Sequence, residues 1–371
     1  MLSYADRINQ LKQRILKMVL AREGYADSAE ASPIWREVTG VLGYVMELSA
    51  EALRNIRFHV GLINGLEMKY WHPYPRIDDE AEARNLGYVR MIQGLPDRYW
   101  VSEPPTPGIP RPLGVSYKGR IVNHNVTRFQ NCVSVLYHAG AMRYVEQAKK
   151  RQIVLEVGAG YGGLAHCLSA MFEGKVTYVI IDLPEILFIS GVFLLVNNPT
   201  KSVWIYDAAE AAGSGLVEKI LAHDFVLLPD FLVERLSELE NIAIIINLQS
   251  FQEMTEEQVT KYLDLGVRKL SFCLYSDNID LHPHNQNLSS VSRLLAERFI
   301  LDPGPAWFQD VFKGIDLQSY LAYQKYVAQP RGAVIKASPI PEHLLRPQGL
   351  KMAKLRARVA PVERFLRGLL G

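Results

Sequence analysis

Cysteine is scarce in this chain, and that excludes several classes of protein at once. Three residues in 371 (Cys132, Cys167 and Cys273), widely spaced, supply neither a disulfide framework nor a zinc knuckle, so a reducing, cytoplasmic setting is expected. No window approaches the ~20 consecutive apolar residues of a membrane span. The opening stretch, MLSYADRINQLKQRILK, is charged throughout and has no signal-peptide core. Charge of one sign is lacking too, with a formal net charge of only +2. No module of interleaved basic and aromatic residues is present, which argues against a nucleic-acid partner. With 49% apolar and 22% charged residues, what remains is an ordinary globular chain, long enough for two domains or for one large, embellished domain.

Read in order, residues 3–22 place Ile8, Leu11, Ile15 and Val19 at helical spacing. A second helical run follows Pro33 through Trp35, Val38, Leu42, Val45 and Leu48 toward Ile56. The texture then changes. Residues 71–123 are rich in proline and aromatics, and prolines 104, 105, 107, 110 and 112 fit no regular element. The aromatics Tyr70, Trp71, Tyr74, Tyr99, Trp100 and Tyr117 either stack on a flat ligand or pack an irregular cap. Helical spacing returns over 124–148. From 153 onward, short apolar runs (153–157, 176–182, 203–206, 225–229, 242–247 and 268–275) alternate with helical patterns, including a charged helix at 255–265, and the runs 288–301 and 311–326 supply another helix and the last strands. Such alternation predicts an α/β fold with a mostly parallel sheet covered on both faces. Whether 203–206 or 225–229 is the third core strand is open at this level. Residues 331–371 carry nine Lys and Arg against two Glu, so residues 1–330 are net −5. The apolar positions of that tail (Leu355, Val359, Val362, Phe365, Leu369) recur at helical spacing. They suit peripheral contact with an anionic membrane surface or packing on the domain itself, and Pro361 interrupts them.

The stretch with most chemical content is IVLEVGAGYGG at 153–163. An apolar strand breaks into glycine-rich backbone and opens a helix, which suits close approach to a nucleotide-like ligand. Gly158, Gly160 and Gly163 satisfy G-x-G-x-x-G, so a dinucleotide site is one reading. Glu156 tips the balance against it. A carboxylate two residues before the first glycine repels a pyrophosphate and attracts the ammonium of a methionine-derived ligand, so the loop is read as one for S-adenosylmethionine. Gly158, Ala159, Gly160 and Tyr161 are its backbone and packing residues. Asp182, at the end of the next strand and followed by Leu183, is placed to accept hydrogen bonds from ribose hydroxyls. The turn 247–254, NLQSFQEM, offers Asn247, Gln249, Ser250, Gln252 and Glu253, more polar side chains than a connector needs. The next strand ends in 275–284, YSDNIDLHPH. His282, His284 or Glu253 is the expected general base. Asp277, Asp280, His282 and His284 are also readable as divalent-metal ligands, although the expected metal content is none. His138, His166, His223 and Cys273 read as packing or solvated residues.

The words LEVGAGYGGLA (155–165), IDLPEIL (181–187), FVLLPDF (225–231) and INLQSFQEM (246–254), with a fainter echo in KGRIVNHNVTRF (118–129), resemble the bacterial sugar O-methyltransferase family, class I S-adenosylmethionine-dependent enzymes. The resemblance covers about residues 115–280. It departs at Leu248, where the family has a short residue such as threonine, and at Pro229–Asp230, where it has Pro-Asn. It implies a Rossmann-like doubly wound methyltransferase domain over 146–335, a helical and proline-rich cap, substrate or oligomerisation region over 1–145, and the basic tail over 336–371. It implies transfer of a methyl group from S-adenosylmethionine, leaving S-adenosylhomocysteine, to a hydroxyl of a sugar or glycosylated metabolite. The donor set is Glu156, Gly158, Ala159, Gly160, Tyr161, Asp182, Leu183, Asp230, Asn247 and Ser250. The acceptor set is Gln249, Gln252, Tyr275 and Asn278. Rival readings are a non-sugar or lipid-linked acceptor, a scaffold without catalysis in glycan assembly, a homo-oligomer whose N-terminal region caps a partner's site, and a NAD-dependent oxidoreductase.

Overall fold

The computed structural model describes residues 2–25, 32–60, 79–107, 112–279, 290–302 and 323–329. Its centre is an eight-stranded sheet built from β1 (Gln152–Val157), β2 (Val176–Asp182), β3 (Val203–Ile205), β4 (Phe225–Pro229), β5 (Ile242–Leu248), β6 (Leu270–Ile279), β7 (Ile300–Asp302) and β8 (Tyr323–Gln329). Across the sheet the order is β3-β4-β2-β1-β5-β6-β8-β7. The six strands from β3 to β6 run parallel. β8 is antiparallel to both β6 and β7. This is the doubly wound α/β fold, with a mostly parallel sheet, expected from the alternation of apolar strands and helices. Both runs left open as the third strand join the sheet: 225–229 pairs with β2, and 203–205 forms the edge beyond it.

The strands are apolar throughout because both faces are covered. Alternate residues of β1 show it: Val154 joins one buried cluster, and Ile153, Leu155 and Val157 join the other. Helices α1 (Tyr4–Arg22), α3 (His124–His138), α4 (Gly163–Met171) and α5 (Pro184–Asn197) feed the first cluster. Helices α6 (Glu256–Lys269) and α7 (Val291–Arg298) feed the second.

The N-terminal region shares the first cluster with the sheet. Ser3 and Asp6 form a reciprocal capping box, and Ile8, Leu11, Ile15 and Met18 bury the inner face of α1. Gly191 of α5 makes room for it: a Cβ there would meet the Leu11 methyls at 2.9 and 3.0 Å. Arg22 then clamps Glu185 through both carboxylate oxygens, at 3.1 and 2.5 Å.

The structure departs from the expected elements in two places. The run after Pro33 is helical only to Leu42 (α2, Pro33–Leu42), tightens to a 3-10 turn over Gly43–Glu47, and breaks at Leu48 and Ser49. Gly40 and Gly43 weaken the helix there, and Ser49 caps a separate short turn by accepting from the Ala52 N–H. Helix α6 runs on to Lys269, so β6 starts at Leu270 and extends to Ile279. In the proline-rich region, Tyr99 and Val101 are buried, and this segment is tied to α3 through Gln130, whose Oε1 accepts from the Val101 N–H and whose Nε2 donates to the Tyr99 carbonyl. Tyr70, Trp71, Tyr74 and the whole tail 336–371 lie outside the described residues. No described helix is long and apolar enough to cross a membrane.

Candidate functional site

At the carboxyl ends of β1, β2, β4 and β5 the chain encloses a cavity of about 260 Å³. This is where a doubly wound sheet places its ligand. One wall is the glycine turn. Gly158, Gly160 and Gly162 have φ of +70°, +56° and +83°, conformations that side chains disfavour. At Gly158 the constraint is also steric, because an added Cβ would lie 2.0 Å from Ser250 Oγ. The glycine turn and the turn after β5 are therefore packed against each other.

Three carboxyls at the ends of adjacent strands face this cavity: Glu156 on β1, Asp182 on β2 and Asp230 after β4. Burial pushes the Glu156 carboxyl up to about 7, opposed by a 2.9 Å hydrogen bond from the Tyr178 hydroxyl. Asp182 accepts from the N–H groups of Gly160 at 3.2 Å and Leu183 at 2.8 Å. Desolvation nevertheless raises it to about 8, with Asp230 and Glu156 adding repulsion. Asp230 is raised to about 7 by burial, opposed by Arg22, and its Oδ1 is buried with no hydrogen-bond partner among the described residues.

The turn after β5 is held from below. Asn247 Oδ1 accepts from the N–H groups of Ser250 and Phe251 at 3.0 and 2.8 Å. Its Nδ2 donates to Ser276 Oγ and Asn278 Oδ1 at 2.9 and 3.2 Å. Gln249 takes φ +70°, rare for a residue with a side chain, and its N–H donates to the Asp277 carbonyl at 2.7 Å. The turn thereby presents Gln249, Ser250 and Glu253 to the cavity. Glu253 Oε2 accepts a 2.7 Å hydrogen bond from the Trp35 indole, and burial raises its carboxyl above the usual range, opposed by that bond and by Arg128.

The structure gathers Glu156, Gly158, Ala159, Gly160, Tyr161, Asp182, Leu183, Asp230, Gln249, Ser250 and Glu253 around one space. Four expected contacts fall elsewhere. Asn247 does not line the cavity, because all its hydrogen-bonding capacity is spent on holding the turn. Gln252, Tyr275 and Asn278 are buried beneath it and also fall outside the lining. Asp280, His282 and His284 lie outside the described residues. Among the described residues no group of three or more His, Cys, Asp or Glu is arranged to hold a metal ion.

Sequence reasoning missed Trp35, Asn125, Arg128, Phe129 and Tyr262, which are also part of the wall. Asn125, Arg128 and Phe129 occupy positions i, i+3 and i+4 of α3, one helical face, and they belong to the KGRIVNHNVTRF stretch. Trp35 carries no such signal, since it reaches the site only through tertiary packing of α2. The N-terminal region thus walls this subunit's own cavity. It also steadies the glycine turn. Arg57 lies 3.9 Å over the Tyr161 ring and pairs at 2.7 Å with buried Glu103, which in turn accepts from Asn123 at 3.0 Å.

No protein-family description matches this chain, and no curated protein matches it. Solved structures similar to part of it include three methyltransferases. One is a small RNA methyltransferase (13% identity, 53% of this chain and 25% of that chain, TM-score 0.34). Another is phospholethanolamine N-methyltransferase 2 of Haemonchus contortus, solved with phosphomonomethylethanolamine and S-adenosylhomocysteine (12%, 52% and 52%, 0.31). A third is precorrin-6y C5,15-methyltransferase of Geobacter metallireducens (12%, 58% and 94%, 0.32). The chain spans a quarter of the first of these and about half of the second.

Proposed function

We propose that the cavity binds S-adenosylmethionine and that the protein methylates a hydroxyl of a sugar or glycosylated metabolite. The observation that carries the reading is the trio Glu156, Asp182 and Asp230, on three adjacent strand ends around one glycine turn. An ammonium beside Glu156, ribose hydroxyls at Asp182 and an exocyclic amine at Asp230 Oδ1 satisfy all three. A dinucleotide pyrophosphate at the same turn meets three carboxyls and, from the glycine turn, no cation. When bound, the donor supplies an electrophilic methyl group.

The chain's own residues have the remaining tasks. Tyr161 and the glycine backbone shape the donor side. Trp35, Phe129 and the turn 249–253 enclose the acceptor side and exclude water. Glu253 is the favoured base for the acceptor hydroxyl, since burial raises its proton affinity and the Trp35 indole fixes one oxygen. A base so placed contributes about 10²–10⁴ in rate. The test is product mass spectrometry after incubation with S-adenosylmethionine and a panel of sugars and glycosides. Methylation at a hydroxyl with formation of S-adenosylhomocysteine is expected. Turnover restricted to amine or thiol acceptors contradicts the O-methylation reading.

A further inference from the structure

Arg128 is the unexplained charge of the cavity. It lies in the wall on α3, beside Phe129 and one turn after Asn125. Its Nε is buried without a hydrogen-bond partner, and its guanidinium makes neither a hydrogen bond nor an ion pair among the described residues. The other cation of the described lining, Lys261, is committed to Glu257 at 3.3 Å. A partly buried guanidinium with no anion in contact is costly, so its presence in a cavity wall points to an anionic ligand group.

Its neighbours say which ligand. The charges acting on Glu156 and Asp182 do not include Arg128, and the cation acting on Asp230 is Arg22. Arg128 acts instead on Glu253, in the turn after β5, and on Tyr275 of β6. It therefore stands at the Glu253 end of the cavity, which the proposed function gives to the acceptor. Two acids stand at that end, and neither pairs with it. Glu253 gives Oε2 to the Trp35 indole at 2.7 Å, and Asp277, which acts on Tyr275, forms no ion pair among the described residues. Tyr275, buried beneath the turn, also leaves its hydroxyl without a partner among the described residues. Trp35 and Phe129 line the same cavity and supply aromatic surface for the C–H face of a sugar ring.

We propose that the acceptor is an acidic sugar, one carrying a carboxylate or a phosphate, whose oxyanion docks on Arg128 while the hydroxyl to be methylated meets Glu253. This rests on the proposed O-methyltransferase reading and narrows its substrate class. The guanidinium presents its donors in a planar fork that matches either oxyanion. The acceptor oxygen takes the methyl group as the donor's S–C bond breaks, its proton passes to Glu253, and the oxyanion is unchanged.

The test follows S-adenosylhomocysteine formation by the full chain from S-adenosylmethionine and a set of acceptors. These are the methyl glycosides of glucuronic and galacturonic acid, glucose 6-phosphate, and the neutral methyl glucoside and galactoside. The acidic sugars are expected to exceed the neutral ones about tenfold or more in kcat/KM, and the better of uronate and phosphate identifies the oxyanion. Arg128→Gln is expected to bring that ratio to within about twofold of one, and to change the calorimetric affinity for S-adenosylhomocysteine by less than about twofold. Arg128→Lys, which keeps the charge and loses the fork, is expected to retain part of the preference. Neutral sugars used as well as acidic ones overturn the inference and leave O-methylation standing. A preference that survives in Arg128→Gln, or a loss of S-adenosylhomocysteine affinity of about tenfold or more in that variant, overturns it too, the latter by assigning the guanidinium to the donor. Methylation of no sugar, acidic or neutral, instead overturns the proposed function beneath it.

Discussion

Glu156 gives the account its sharpest quantitative consequence. In the free protein its carboxyl is raised to about 7 because it is 2% exposed and, among the described residues, has only the Tyr178 hydroxyl to stabilise its charge. An ammonium bound beside it supplies the missing countercharge and returns it to the ordinary carboxylate range or below. Binding is then linked to proton release. At pH 8 most molecules already hold the carboxylate. At pH 5 only about one in a hundred does, so a ligand with the ammonium must bind about 100-fold more weakly there. The comparison ligand 5′-methylthioadenosine lacks the ammonium and keeps only the pH dependence due to Asp182 and Asp230. Folding stability carries the opposite sign. A carboxyl raised above its unfolded value adds stability that is fully present below about pH 4.5 and is lost as pH rises through about 7. Glu156→Gln should therefore melt higher than the parent at pH 8, by up to about 3 kcal/mol, while binding S-adenosylhomocysteine more weakly. Calorimetry across pH 5–8 in buffers of different ionisation enthalpy reads both the affinity and the released proton. A pH-independent difference between the two ligands, or an unchanged affinity in Glu156→Gln, refutes the assignment of Glu156 to the ammonium.

Other consequences are local. Gly158→Ala combines a φ of +70° with a Cβ 2.0 Å from Ser250 Oγ, so donor-analogue binding should be lost and thermal stability should fall by about 1–3 kcal/mol or more. Asn247→Ala strips the acceptor from the Ser250 and Phe251 N–H groups, and a drop of about 3 kcal/mol in urea unfolding is expected, with activity falling because the turn 249–253 loosens. Glu253→Gln should lower kcat by about 10²-fold or more with little change in donor affinity. Trp35→Phe removes a hydrogen bond that holds the Glu253 carboxyl down, so the acidic limb of the pH–rate profile should move to higher pH. Leu11→Ala, under Gly191, should cost about 2–5 kcal/mol without altering the pH dependence of donor binding.

The sheet was readable because parallel strands covered on both faces are continuous apolar runs, and β1, β2, β4 and β5 are just that. The strand-end wall of the cavity was readable for a related reason. Strand ends in such a sheet converge, so Glu156, Asp182 and Asp230 were bound to face one space once the strands were known. The wall formed by the turn after β5 was less so. Polarity in the turn 247–254 marked a turn that lines the cavity, but it did not separate residues that face the cavity from those that hold the turn. Asn247 and Gln249 are two residues apart with opposite duties, and the difference lies in the left-handed backbone at Gln249 and in the anchoring of Asn247 to Ser276 and Asn278. Trp35 and Arg128 were harder still. One comes from a helix more than a hundred residues before the glycine turn, and the other sits on a helix that is buried on nearly every side, where sequence pattern does not tell which face meets the cavity.

In the proposed site the glycine turn and its three carboxyls hold a methionine-derived donor and not a dinucleotide. Isothermal titration of the full chain at pH 8 with S-adenosylhomocysteine and, separately, with NAD tests it most directly. Saturable, single-site binding of S-adenosylhomocysteine is expected, with no heat beyond dilution for NAD. Binding of NAD with no detectable binding of S-adenosylhomocysteine contradicts it.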